Sequence, residues 1–132
     1  MLLTTLLLDT HVLLWWDVDP GRLSQRAAAA VVEADELAVS GHTWYELAWL
    51  VENGRVELDL PLASWLNDLN LQVRTVGLTP AIALTAARLP EPFPRDPADR
   101  VIYGTALDRG WQLVTKDSRL REHPAGRPVT VW

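Results

Sequence analysis

The chain has 132 residues, 48% of them hydrophobic and 22% charged, which is the make-up of one ordinary globular domain large enough to bury a core. With no cysteine, disulfides, zinc–thiolate sites and thiol catalysis are excluded, and a formal charge of −5 argues against broad electrostatic capture of nucleic acid. No apolar run reaches the roughly 18 residues of a membrane span, and "MLLTTLLLD" has neither the basic start nor the cleavage site of a signal peptide, so the expectation is a soluble, cytoplasmic protein with no membrane partner.

In chain order, the first element is "LLTTLLL" (2–8), an apolar run that reads as a buried strand and ends on Asp9. Asp9 then either caps the helix begun by "THVLLWW" or is delivered by the strand to a functional edge, and residues 5–16 alone leave both readings open. An alanine-rich helix follows over 23–35, with Ser24 as cap, and then the strand "LAVS" (37–40). "HTWYELAWLVENG" (42–54) carries apolar residues at Trp44, Leu47, Ala48 and Val51, the spacing of one helix face, and stops at Asn53-Gly54. Pro61 opens a helix over 61–70, and "QVRTVGL" (72–78) is a weaker strand. Thr79 and Pro80 then supply a cap and first position for a helix over 79–89. The proline-rich segment 89–97 reads as a surface loop leading into a site. Asp96-Pro97 repeats the cap device for a helix ending at Gly110, "QLVT" (112–115) is a strand, and "PVTVW" (128–132) is a weaker one.

Strands and helices alternate, and the best strands are too apolar to have a wet face. The sequence therefore predicts a single α/β domain over 1–132, a mostly parallel sheet covered by helices on both faces. In such sheets ligands bind at the carboxyl ends of the strands. Asp9 ends the first strand and Asp117 lies just past "QLVT". Glu46 is two turns into the helix after "LAVS", and Asp99 is in the first turn after Asp96. Asp117 can be a cap for "SRLREH", Asp96 is explained as a cap, and Asp99 at the third helical position suits the helix dipole. Glu46 is too deep for a cap and has Leu50 at i+4, which leaves His42 as its helical partner.

If these acids converge, two carboxylates 4–5 Å apart repel by about 3–4 kcal/mol at an effective dielectric near 20. Four such groups need cations or raised pKa values, and an oxygen-only ligand set selects Mg²⁺ or Mn²⁺. Such a site activates water and stabilises charge on a phosphodiester. Seven of the twelve basic residues, Arg95, Arg100, Arg109, Lys116, Arg119, Arg121 and Arg127, fall in the last 38 positions, so a nucleic acid could still be met there, with Arg100, Lys116 and Arg119 flanking the acids as phosphate contacts or as a solvated face. Other chemistries fit less well. "DTHVL" lacks the second acid that a phosphotransferase nucleophile wants two residues on, no glycine follows the first strand to cradle a nucleotide, and "LAVSGH" has no receiver aspartate.

Four blocks, "LLLDTHVLLWW", "VSGHTWYELAWLVENGRVEL", "RDPADRVIYGTA" and "LVTKDSRLR", resemble in order and spacing the signature blocks of PIN-domain ribonucleases, above all the VapC-type toxins of toxin–antitoxin pairs. The resemblance implies a PIN-like three-layer sandwich, a metal-dependent endoribonuclease acting on RNA, and Asp9, Glu46, Asp99 and Asp117 as the acids that hold Mg²⁺ or Mn²⁺. It places Thr10 and Thr115 where the family often has a hydroxyl near the acids, and Thr43 where relatives often have serine. It also implies a VapB-like antitoxin and a homodimer. Tyr45 stands directly before Glu46 where tryptophan is common, and Ala98 takes a place that is frequently aromatic; neither change removes an acid. A PIN-like module that holds RNA or a partner without cutting is the rival reading.

Overall fold

The computed structural model describes residues 3–123 and 129–132, so Leu2, Arg127 and Pro128 of the sequence reading lie outside the described residues. Five strands form one sheet in the order β3-β2-β1-β4-β5: β1 (Thr5–Leu8), β2 (Glu36–Ser40), β3 (Arg74–Val76), β4 (Gln112–Val114) and β5 (Thr130–Val131). Every pairing is parallel, with Leu6 opposite Leu37 on one side of β1 and Leu7 opposite Leu113 on the other. The sheet is thus wholly parallel, and every strand but β2 is shorter than the run that announced it. Both weaker strand readings correspond to real edge strands.

The pleat sends alternate residues of β1 to opposite layers. Leu6 and Leu8 join Val39 and Val114 in a core under α1 (Thr10–Val18), α2 (Gln25–Glu33), α3 (Gly41–Glu52) and α4 (Leu62–Asn70). Leu7 joins Ala38, Val76 and Leu113 in a second core under α5 (Pro80–Ala87), α6 (Pro97–Arg109) and α7 (Ser118–Arg121). Leu7 and Leu8 are both fully buried, which is why β1 shows no polar alternation in sequence. A short 3-10 turn at Pro20–Arg22, which the sequence pattern did not signal, links α1 to α2.

The capping signals operate as the residue types predict. Ser24 accepts from Ala27 N, Thr79 from Ile82 N, and Asp96 from both Ala98 N and Asp99 N. Gly110 closes α6 in the left-handed region at φ 69°. Helix α3 begins one residue earlier than the sequence pattern indicates because Ser40, the last residue of β2, caps it through His42 N. Among the described residues no helix is long and apolar enough to cross a membrane.

Candidate active site

The strand order reverses direction about β1: β2 and β3 run out on one side and β4 and β5 on the other. Asp9 and Asp117 follow the carboxyl ends of β1 and β4, the neighbouring strands at that switch point, where α/β sheets open a crevice. Glu46 reaches the same place from α3 and Asp99 from the first turn of α6. All four acids line one cleft of about 580 Å³, together with His11, Trp15, Lys116 and Arg119. Residues far apart in sequence are brought to one edge, as the strand-end argument requires.

Asp9 caps α1 and is also brought by β1 to the edge of the cleft, so the two placements that the sequence left open coexist. Its Oδ1 accepts from Thr10 N at 2.8 Å and caps α1, while its Oδ2 accepts from Thr115 Oγ1 at 2.6 Å. The same Thr115 oxygen accepts from Asp117 N at 3.1 Å, so one buried hydroxyl fixes Asp9 and the backbone that carries Asp117. Thr10 Oγ1 donates to Glu46 Oε1 at 2.9 Å and lies 3.1 Å from Thr43 Oγ1. His42 Nε2 stands 4.0 Å from the same Glu46 oxygen. The three threonines expected near the acids are thus part of the acid network, and all three are buried.

Asp117 caps α7 through Arg119 N at 2.9 Å and is clasped by the Arg119 side chain, with Nε 3.1 Å from Oδ1 and Nη2 2.7 Å from Oδ2. The same Nη2 donates to Asp99 Oδ2 at 3.2 Å. Burial raises the Asp9 and Glu46 carboxyls above their ordinary values, against the hydrogen bonds from Thr115 and Thr10 that lower them. Burial, reinforced by the negative charge of Asp96, pushes Asp99 to about 6. Asp117 goes the other way, held below the usual aspartate range by the Arg119 hydrogen bond.

Arg100 belongs elsewhere, contrary to its expected place among the RNA contacts. Its guanidinium donates to the carbonyls of Pro94, Ala86 and Leu89 at 2.9, 3.2 and 3.1 Å, tying down the segment before α6. Lys116 and Arg119 do line the cleft. The sequence reading missed His11 and Trp15. Their signal was position: both lie on the first turns of the helix that Asp9 caps.

The donor set suits a hard divalent cation, since it offers carboxylate oxygens only and three of the four carboxyls are raised, chiefly by burial, so that a cation would ease their ionisation. Among the described residues, however, no three acid or histidine side chains are arranged to share one ion as they stand. Each acid has another partner in this arrangement: Thr115 holds Asp9, Thr10 holds Glu46, and Arg119 occupies Asp99 and Asp117. Beside the acids, an apolar groove of about 380 Å³ lies between α1, α3 and the start of α6. Tyr45 and Ala98, the two departures from the resembled pattern, both line it.

An all-parallel sheet with four acids at its switch point defines a class, and residues 6–126 match the model of the PIN domain. The chain belongs to the PIN-domain family. Within that family it is of the VapC type: it is 58% identical over 130 residues to Ribonuclease VapC22 of Mycobacterium tuberculosis, covering 98% of this chain and 100% of that one. The fold is shared with a toxin–antitoxin complex from Klebsiella pneumoniae (TM-score 0.67, 20% identity, 96% of this chain and 95% of that one). It is also shared with VapBC2 from Rickettsia felis bound to a DNA fragment from their promoter (TM-score 0.68, 14% identity, 92% and 94%).

Proposed function

We propose that this PIN domain is a Mg²⁺- or Mn²⁺-dependent endoribonuclease and the toxin of a VapBC-like toxin–antitoxin pair. The observation that carries the reading is the meeting of Asp9, Glu46, Asp99 and Asp117, from four separate elements, in one cleft. Full-length similarity to a protein named as a VapC ribonuclease supports the reaction class.

In this reading the four carboxylates hold the cation. When bound, a divalent cation supplies an acidified water and positive charge for phosphate oxygens. The chain's own residues do the rest. Thr115 and Thr10 fix the carboxylate rotamers of Asp9 and Glu46, and preorganisation of this kind lowers the reorganisation needed at the reacting centre. Lys116 and Arg119 at the cleft edge meet RNA phosphates and set the strand against the acids. The partner is a VapB-like antitoxin, supported by the toxin–antitoxin complexes that share the fold. A homodimer is supported by the exposed aromatics Tyr45 and Trp49.

The test is cleavage of structured RNA by antitoxin-free protein across a Mg²⁺ and Mn²⁺ titration, with Asp9→Asn and Asp99→Asn purified alongside. Metal-dependent cleavage that is lost in both variants, with thermal unfolding still cooperative, is the expected result. A folded, metal-binding chain that cuts no RNA would shift the assignment to a binding module.

A further inference from the structure

Arg119 stands where positive charge is most needed. A single guanidinium nitrogen reaches Asp117 at 2.7 Å and Asp99 at 3.2 Å, and Nε takes the other Asp117 oxygen. Asp99 and Asp117 come from different elements, α6 and the end of β4, and Arg119 is the cation that joins them. Its side chain is nonetheless 60% exposed, while those of Asp99 and Asp117 are only 18% and 24% exposed. The acids are thus largely buried, while the arginine that bridges them is largely open to solvent. An arginine stem of this length, anchored on the four-residue helix α7, can swing outward without unfolding anything. The two acids cannot move apart as easily, since Asp99 sits on the 13-residue α6 and Asp117 is tied to Thr115 through its backbone.

We propose that Arg119 is a built-in counter-cation of the site: it occupies Asp99 and Asp117 until a divalent metal ion displaces it, and the freed guanidinium then binds a substrate phosphate. The proposal rests on the metal-dependent reading above. Arg119 is a positioning residue in the metal-free state and a substrate contact in the loaded one. Its planar fork suits both partners, since carboxylate and phosphate each accept paired N–H donors. The arrangement keeps the clustered acids tolerable in the absence of metal and makes metal entry a competition between cations.

The test is Mn²⁺ binding by calorimetry to full-length, antitoxin-free protein, comparing wild type with Arg119→Ala, and RNA binding by both at saturating Mn²⁺, read by stopped-flow fluorescence before the RNA is cut. Removing the competitor is expected to tighten Mn²⁺ binding on the order of tenfold, the size of two exposed ion pairs lost together. RNA binding is expected to weaken several-fold. These changes have opposite signs, which loss of structure alone does not produce. Arg119→Gln, with a neutral side chain that keeps part of the stem, repeats the comparison should the alanine variant fold poorly. Mn²⁺ binding that is unchanged or weaker in both variants, with wild type binding normally, overturns this inference alone. RNA binding that does not weaken overturns the phosphate role. Wild type that takes up no Mn²⁺ overturns the metal reading and the inference with it.

Discussion

Thr115 Oγ1 donates to Asp9 Oδ2 at 2.6 Å while accepting from Asp117 N at 3.1 Å, so one hydroxyl couples the ends of β1 and β4 across the switch point of the sheet. Thr115→Val keeps the shape and removes both bonds. A hydrogen bond to a charged group contributes about 1.5–3 kcal/mol, and its loss leaves a carboxylate oxygen without its donor. The variant is expected to unfold at lower urea concentration by an amount in that range. RNA cleavage should fall at least tenfold, because Asp9 loses the contact that fixes its rotamer. Urea unfolding and single-turnover cleavage, measured on the same preparation, check both effects.

Asp99 makes stability depend on pH in a direction that can be worked out. Burial and Asp96 raise its carboxyl to about 6 in the folded chain, against about 3.9 for an unperturbed aspartate. The folded state therefore holds the proton more tightly. The stability this adds is fully present below about pH 4 and is lost as pH rises through about 6. Asp9 and Glu46, also raised, act in the same sense. Asp117 is lowered, so its contribution is present above the ordinary aspartate value and is lost only in stronger acid. In EDTA the melting temperature is expected to fall between about pH 4 and pH 6.5, and less steeply in Asp99→Asn. Added Mn²⁺ should reverse the trend, because ligation requires the deprotonated acids. A wild-type profile that is flat in EDTA would contradict the assignment of a raised carboxyl to this site.

The order of elements was legible because apolar runs, cap residues and Asn-Gly or Gly stops are local signals, and the acids at strand ends followed from the sheet argument. Glu46 could be singled out because no helical lysine or arginine explained it, and in the structure Thr10 and His42 face it instead. Whether Asp9 only caps α1 could not be read from sequence, because its two oxygens have different partners, Thr10 N and the hydroxyl of Thr115, a distinction that needs coordinates. Arg100 and Arg119 were indistinguishable for a related reason. Both are arginines within two residues of an acid in sequence, and only the folded chain shows one turned toward backbone carbonyls and the other toward Asp99 and Asp117.

That difference separates two substitutions that look alike on paper. Arg100→Ala removes the donors holding the carbonyls of residues 86, 89 and 94, and should lower the melting temperature while leaving the salt dependence of RNA binding unchanged. Lys116→Ala removes an ammonium at the cleft edge, which lies 5.7 Å over the Trp15 ring. It should leave the melting temperature nearly unchanged and reduce the slope of log affinity against log salt by about 0.7, one phosphate contact on single-stranded RNA. Filter binding at several salt concentrations, in a non-cutting Asp9→Asn background, distinguishes them. A reduced slope in Arg100→Ala would return that residue to the RNA interface.

Gly104 controls how closely α6, the helix that carries Asp99, approaches α5. A Cβ added there would lie 3.1 Å from the Cα, Cβ and N of Ala86, and most of those neighbours are backbone atoms that cannot turn aside. Replacing a helical glycine with alanine ordinarily gains about 1 kcal/mol of helix propensity. Overpacking a closed contact loses about 1–3 kcal/mol, so the second effect is expected to prevail and Gly104→Ala to be destabilising overall. Gly104→Val, larger and branched, should lose more. Because α6 must shift to relieve the contact, Asp99 moves with it, and Mn²⁺ affinity is expected to weaken in the same order, wild type to alanine to valine. Chemical unfolding and calorimetry on the three proteins test this together. A Gly104→Ala protein that is more stable than wild type would mean that the α5–α6 contact yields more readily than backbone packing at this distance allows.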